Sequence, residues 1–149
     1  MNSQTETRKQ LTITIDGKRY TTRDDDQEAA SLLRVAGRDP DAYDLAKVKA
    51  NRELHVYRDG KVIDLKGGDE FVSVIFGVEV NETFVELGKR KQTGASLKEA
   101  AIAQGVPIKM DFVLSEIFDN GEEQVIADDN EITVKYHDDF WAVPGDDNS

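Results

Sequence analysis

The sequence predicts an α+β fold divided into two small tandem domains, and three observations carry that prediction. Alternation of apolar and polar side chains gives way to helical spacing and then returns to alternation. Asp-Gly and related turn signals separate the alternating stretches. The same order recurs in the second half of the 149 residues, a length that suits one ordinary domain or two small ones, so the repetition decides between them.

In the first half Leu11–Ile15 alternates, Asp16-Gly17 is a two-residue hairpin signal, and Lys18–Thr22 returns as the second strand. Residues 27–36 place Ala29, Leu32, Leu33 and Ala36 at helical spacing, with Gly37 where a helix takes its left-handed stop. Asp24, Asp25 and Asp26 lie just ahead, where a helix dipole favours negative charge. Beyond Asp39-Pro40 come strand signals at Tyr43 and Leu45, at Leu54–Tyr57 and at Val62–Leu65, the last two parted by an Asp59-Gly60 turn. Phe71–Ile75 closes the half as a buried strand.

The second half repeats the plan. Val78–Val80 leads to Asn81-Glu82, which stands 65 residues after Asp16-Gly17, and Thr83–Leu87 is the returning strand. A helix is expected from Ser96 to Gln104, with Ser96 as its N-cap and Glu99 at capping-box spacing, closed by Gly105 with Pro107 beyond. Phe112–Phe118, the turn Asp119-Asn120-Gly121 and a final strand Glu131–Tyr136 complete the unit.

A hairpin, a helix and further strands, with the last strand returning parallel to the first, is the β-grasp plan. The expected division is a flexible N-terminus at 1–10, domains at 11–76 and 77–137, and a C-terminal tail at 138–149. The segments Ile13–Tyr20, Ala36–Pro40 with Tyr43–Leu45, and Asp64–Gly68 with Phe71 resemble the multiubiquitin-domain family. So do Val80-Asn81, Thr93-Gly94, Lys98–Ala101, Gln104-Gly105 and Asp128–Ile132 in the second half. The resemblance spans residues 11 to about 143 and lies in the order and doubling of these motifs, none of which is specific alone. It implies two tandem ubiquitin-like β-grasp domains in a bacterial ubiquitin-like protein modifier. Its partners would be activating-enzyme-like, conjugating-enzyme-like and peptidase proteins, and its role that of substrate and not of enzyme.

Composition excludes several classes. With 19 basic and 30 acidic residues the net charge is −11, which repels nucleic acid and favours protein partners. Residues 1–76 hold 13 basic and 14 acidic residues, residues 77–149 hold 6 and 16, so nearly all the excess lies in the second half and self-association through unlike halves stays open. The absence of cysteine removes disulfides and thiol catalysis from this chain. No apolar run approaches a membrane span, and the polar start MNSQTETRKQ lacks a signal-peptide core, so no membrane association and a cytoplasmic location are expected.

The functional expectation centres on the tail. A modifier must present a carboxyl group for activation, and Gly145 is the single glycine after Gly121, lacking the Cβ that would block a narrow acyl-transfer tunnel. Gly145 is therefore the expected processing and acyl terminus, with Asp146, Asp147, Asn148 and Ser149 removed by the peptidase. Pro144 would stiffen the tail, and Phe140, Trp141 and Val143 would supply apolar recognition contacts. Opposed to this stand an ordinary frayed terminus and a tail folded over the sheet. His137-Asp138-Asp139 could hold a cation, but adjacent residues of an extended chain point in opposite directions, and solvation is the expected state. His55 reads as a strand residue and Gly67-Gly68 as a turn, so no catalytic residue, cofactor or metal site is expected. The alternative reading is a non-conjugated interaction or scaffold module whose sheet faces hold partners.

Overall fold

The computed structural model of the protein describes residues 9–58 and 60–145. The chain divides between Ile75 and Phe76 into two compact units. Each is a five-stranded mixed sheet with one helix, an α+β arrangement.

In the first unit β1 (Leu11–Ile15) and β2 (Lys18–Thr22) form an antiparallel hairpin, closed by Asp16 at φ 53° and Gly17 at φ 81°. Left-handed backbone at both central residues matches the right-handed twist of the flanking strands, which is why Asp-Gly suits the position. There follow β3 (Asp26–Glu28), α1 (Ala29–Val35), β4 (Tyr43–Val48), β5 (Leu54–Val56), β6 (Val62–Asp64) and β7 (Glu70–Ile75). The sheet order is β2-β1-β7-β4-β5, with β7 parallel to β1 and antiparallel to β4, while β3 and β6 pair antiparallel beside it. Ala29, Leu32 and Leu33 of α1 pack into a core with Ile13, Ile15, Leu45, Ile63, Leu65 and Phe71.

The second unit repeats this order with β8 (Gly77–Val80), β9 (Thr83–Glu86), β10 (Lys91–Thr93), α2 (Gly94–Ala103), β11 (Val113–Ile117), β12 (Glu123–Ile126), β13 (Glu131–Thr133) and β14 (Asp139–Val143). Its sheet runs β12-β11-β14-β8-β9, with β14 parallel to β8 and antiparallel to β11, and β10 pairs with β13. The core gathers Phe76, Val78, Val80, Val85, Leu97, Ala101, Leu114, Ile126 and Phe140. Phe76 therefore begins the second unit, one residue earlier than expected, because its fully buried ring belongs to that core and lies under the Arg90 guanidinium at 3.8 Å.

Four expectations need correction. The strand that returns parallel to the first is β14 and not Glu131–Tyr136, of which Glu131–Thr133 forms β13 at the margin. Within the expected tail at 138–149, Asp139–Val143 is thus sheet: Phe140 and Ala142 point into the core, and their burial fixes the strand in place. The N-cap of α2 is Thr93, whose hydroxyl accepts from the Ser96 N–H at 3.0 Å while the Ser96 Oγ accepts from the Thr93 N–H at 2.7 Å, so the box sits three residues earlier than expected. Asp24–Asp26 do not serve a helix dipole, since α1 starts at Ala29 with no acidic residue in its first turn; Asp24 closes a turn on the Asp26 N–H at 3.1 Å, and Asp26 pairs with Asp64 across β3 and β6. The Asp59 half of the Asp59-Gly60 turn and residues 1–8 lie outside the described residues.

Candidate functional site

The residues expected to act together fall on two sides of one strand. In β14 Phe140 faces inward and is fully buried, so it serves the core and offers no external contact. Trp141 and Val143 face outward, 37% and 50% exposed. The ladder sets Trp141 beside Ser115, Ser115 beside Val125, and Val143 beside Val113. Val113, Val125, Trp141 and Val143 thereby form an exposed apolar strip across the outer side of β12, β11 and β14. Alternation produces it: where Leu114, Ile126, Phe140 and Ala142 fill the core, their neighbours in sequence must meet solvent. Val113 and Val125 belong to this site but carry no motif, and only the cross-strand register reveals them.

The strip has an acidic border. Asp139 pairs with Glu79 and with Ile117, and Ile117 with Glu123. Desolvation, then the charges of Glu79 and Glu82, push the Asp139 carboxyl above the usual carboxylate range. On the other side of the sheet, beside Phe140, the Glu116 carboxyl is raised as well, by desolvation first and then by Asp138. An apolar strip beside carboxylates is suited to a protein surface with an apolar centre and Lys or Arg at its margin.

Gly145 follows the strand by two residues and is half-buried. A Cβ built on it would come within 3.5 Å of the Asp111 carbonyl oxygen and 3.7 Å of the Val113 Cγ2, ordinary contact distances. Pro144 is exposed. Asp146, Asp147, Asn148 and Ser149 lie outside the described residues. His137 Nδ1 lies 2.7 Å from Glu79 Oε2, Asp138 Oδ2 accepts from the Lys135 N–H at 2.8 Å, and Asp139 lies in the ladder, so the three neighbours are engaged in different directions. Among the described residues no cluster of His and carboxylate side chains is arranged to hold a metal ion. His55 is exposed, with its ring edge-on to Tyr57 at 4.9 Å.

A concavity lies in the first unit, about 660 Å³ between Lys47, Lys49, Arg52, His55, Asp69 and Glu70. Its charges are largely matched within it, Lys47 to Asp69 at 3.5 Å and Arg52 to Glu70 at 3.1 Å. Such balance leaves little net field to draw a charged ligand. The buried Lys98 of α2 is also accounted for: its ammonium donates to the Met110 and Phe112 carbonyls and meets Asp128 at 2.8 Å, tying α2 to the segments that precede β11 and follow β12.

No helix among the described residues is long and apolar enough to cross a membrane. Neither protein-family models nor curated proteins give a match to this chain.

Proposed function

We propose that the chain is a pair of ubiquitin-like β-grasp domains of the multiubiquitin kind, acting in the cytoplasm of a bacterium as a protein modifier and not as an enzyme. A partner peptidase cleaves after Gly145, and activating-enzyme-like and conjugating-enzyme-like proteins carry the new carboxyl group onward. The observation that supports this reading most is the shared topology: both units have the strand order second-first-last-third-fourth, with first and last strands parallel, and the last strand of the second unit leads to Gly145. The outer strip of Trp141, Val143, Val113 and Val125 lies beside that exit, where a processing partner would grip.

Intact-protein mass spectrometry tests the reading. Wild type and Gly145→Trp are incubated with lysate of the source cells, or with a peptidase encoded beside the gene. Loss of the mass of Asp-Asp-Asn-Ser from wild type alone, followed by higher-mass adducts, is the expected result. A cleavage elsewhere, or none, would overturn it.

One observation favours a second reading, a non-conjugated interaction module. Only Pro144 and Gly145 separate the ordered strand from the expected scissile bond, a short reach for an enzyme that must draw the terminus into a tunnel. On this reading both proteins stay full length and form stable complexes through the outer strip, and Trp141→Ala weakens those complexes while Gly145→Trp does not.

A further inference from the structure

The end of β14 is held by a side chain that stands in for a missing strand. β8 ends at Val80, and the backbone then turns away at Asn81 with φ 51°. The Asn81 N–H still donates to the Phe140 carbonyl at 3.0 Å, the last main-chain bond of the parallel ladder. Beyond it the carboxamide continues the pattern: Asn81 Oδ1 accepts from the Ala142 N–H at 2.8 Å, and Nδ2 donates to the Ala142 carbonyl at 3.0 Å. The first unit solves the same problem with other chemistry. Asp16, at φ 53°, donates its N–H to the Phe71 carbonyl at 3.0 Å, and its carboxylate accepts from both the N–H and the Oγ–H of Ser73, each at 2.7 Å. A carboxylate has no proton to give, so the partner residue supplies a hydroxyl; a carboxamide gives and takes, so a bare carbonyl suffices.

We propose that Asn81 is a positioning residue that fixes where the second sheet releases the chain, so that a protein pulling on the C-terminal segment receives Pro144-Gly145 and is denied Trp141–Val143. Pairing with Val113 holds Val143 from one side, and Asn81 holds Ala142 from the other. Pro144 has no N–H and cannot extend either ladder, which makes the boundary abrupt. Without the carboxamide, Trp141–Val143 is held only by its pairing with β11 and by the small buried Ala142 methyl, and peels as a unit. The inference holds whether or not Gly145 is a processing site, because it concerns the length of chain the sheet surrenders.

The experiment digests full-length wild type, Asn81→Ala, Asn81→Asp, and Asn81→Asp combined with Ala142→Ser using proteinase K. Each is held at a temperature where circular dichroism shows it folded, and products are read by intact mass. Wild type is expected to be trimmed no further than Val143, and Asn81→Ala to lose residues back to Trp141 or Phe140. Amide hydrogen exchange at Ala142 should rise about tenfold or more in Asn81→Ala, from two lost hydrogen bonds, while exchange at Val80 and Val85 stays unchanged. Asn81→Asp still accepts from the Ala142 N–H but sets a carboxylate oxygen against the Ala142 carbonyl, so it should also be trimmed past Val143, and the hydroxyl introduced by Ala142→Ser should restore the wild-type end point by reproducing the first unit's pair. A merely structural role would move exchange throughout the sheet and would not be rescued by the transplanted pair. The proposal is overturned by the same end point in wild type and Asn81→Ala, or by a double variant trimmed like Asn81→Asp. Should Asn81→Ala not fold, the comparison of Asn81→Asp with the double variant decides alone.

Discussion

Two backbone positions that carry glycine in the first unit carry larger side chains in the second. Gly17 at φ 81° corresponds to Glu82 at φ 69°, and Gly68 at φ 89° to His137 at φ 63°. Left-handed backbone costs an L-residue about 1 kcal/mol or more. At His137 the ring answers that cost, with Nδ1 bonded to Glu79 and ring centroids 5.0 Å from Phe84 and 4.3 Å from Tyr136. Glu82 is exposed, and its charge adds to the repulsion at Asp139. Glu82→Gly is therefore expected to stabilise the second unit by about 0.5–1 kcal/mol, the strain relieved less the entropy a glycine loses on folding. Urea denaturation checks this, and a fall in midpoint would show that the Glu82 side chain makes a compensating contact. His137→Gly should change stability the other way. The role of His137-Asp138-Asp139 was hidden in the sequence for a related reason. Asp138 closes the turn before β14 on the Lys135 N–H as Asp69 closes the turn before β7 on the Lys66 N–H at 2.9 Å, yet the two turns share only their lysine and aspartate.

Among the elements, α2 shows how packing overrides local preference. Glycine at its first position is a poor helix former, and propensity alone would have Gly94→Ala gain up to about 1 kcal/mol. A Cβ there would stand 2.4 Å from the Ala127 carbonyl oxygen and 2.8 Å from that of Ile126, both backbone atoms that cannot swing aside. The clash wins, and Gly94→Ala should destabilise the second unit by about 1–3 kcal/mol. Thr93→Ala, which removes the capping hydroxyl without a clash, should cost about 1 kcal/mol. Thermal unfolding of both variants, read against wild type, checks the order. The hairpins β1–β2 and β8–β9 were legible in the sequence because alternation and a turn signal coincide there, and so were the main strands β4, β7 and β11. The short strands β3, β10 and β12 and the central β14 were not. β3 and β10 hold three residues and no apolar one, and β12 holds four with its two apolar residues adjacent, so none of them shows a period. In β14 burial alternates, but Phe140–Val143 is an unbroken apolar run just before the polar end of the sequence, so the sequence shows no alternation there and reads as a tail. The site shared that fate: Trp141, Val143 and Gly145 could be named from sequence, whereas their partners Val113 and Val125 follow only from the register of strands distant along the chain.

At the scale of the molecule charge is unequally spread, and the acidic excess of residues 77–149 bears on stability. Asp139 and Glu116 both have carboxyls raised above the ordinary range, so the folded chain holds these protons more tightly than the unfolded one. The penalty of ionising them is fully present above the raised values and is relieved as pH falls through them, so stability should rise on mild acidification from neutrality. Thermal unfolding followed from neutrality down toward the ordinary carboxylate range should show that rise. Asp139→Asn should be more stable than wild type at the upper end and respond less to acid, and a wild type that loses stability throughout this interval would contradict the assignment. The parallel pairing of first and last strands has a further consequence, for biosynthesis. A chain leaving the ribosome presents its N-terminal part first, and no sheet of this topology can close until its last strand arrives. The first unit can close once Ile75 is free. The second must wait for Phe140 to fill the centre of its core, so the apolar faces of Val78, Val80 and Val85 stay uncovered through almost the whole of its own translation. The first unit waits likewise for Phe71, so each in turn leaves the apolar face of its first hairpin bare for a nascent-chain chaperone until its own last strand arrives.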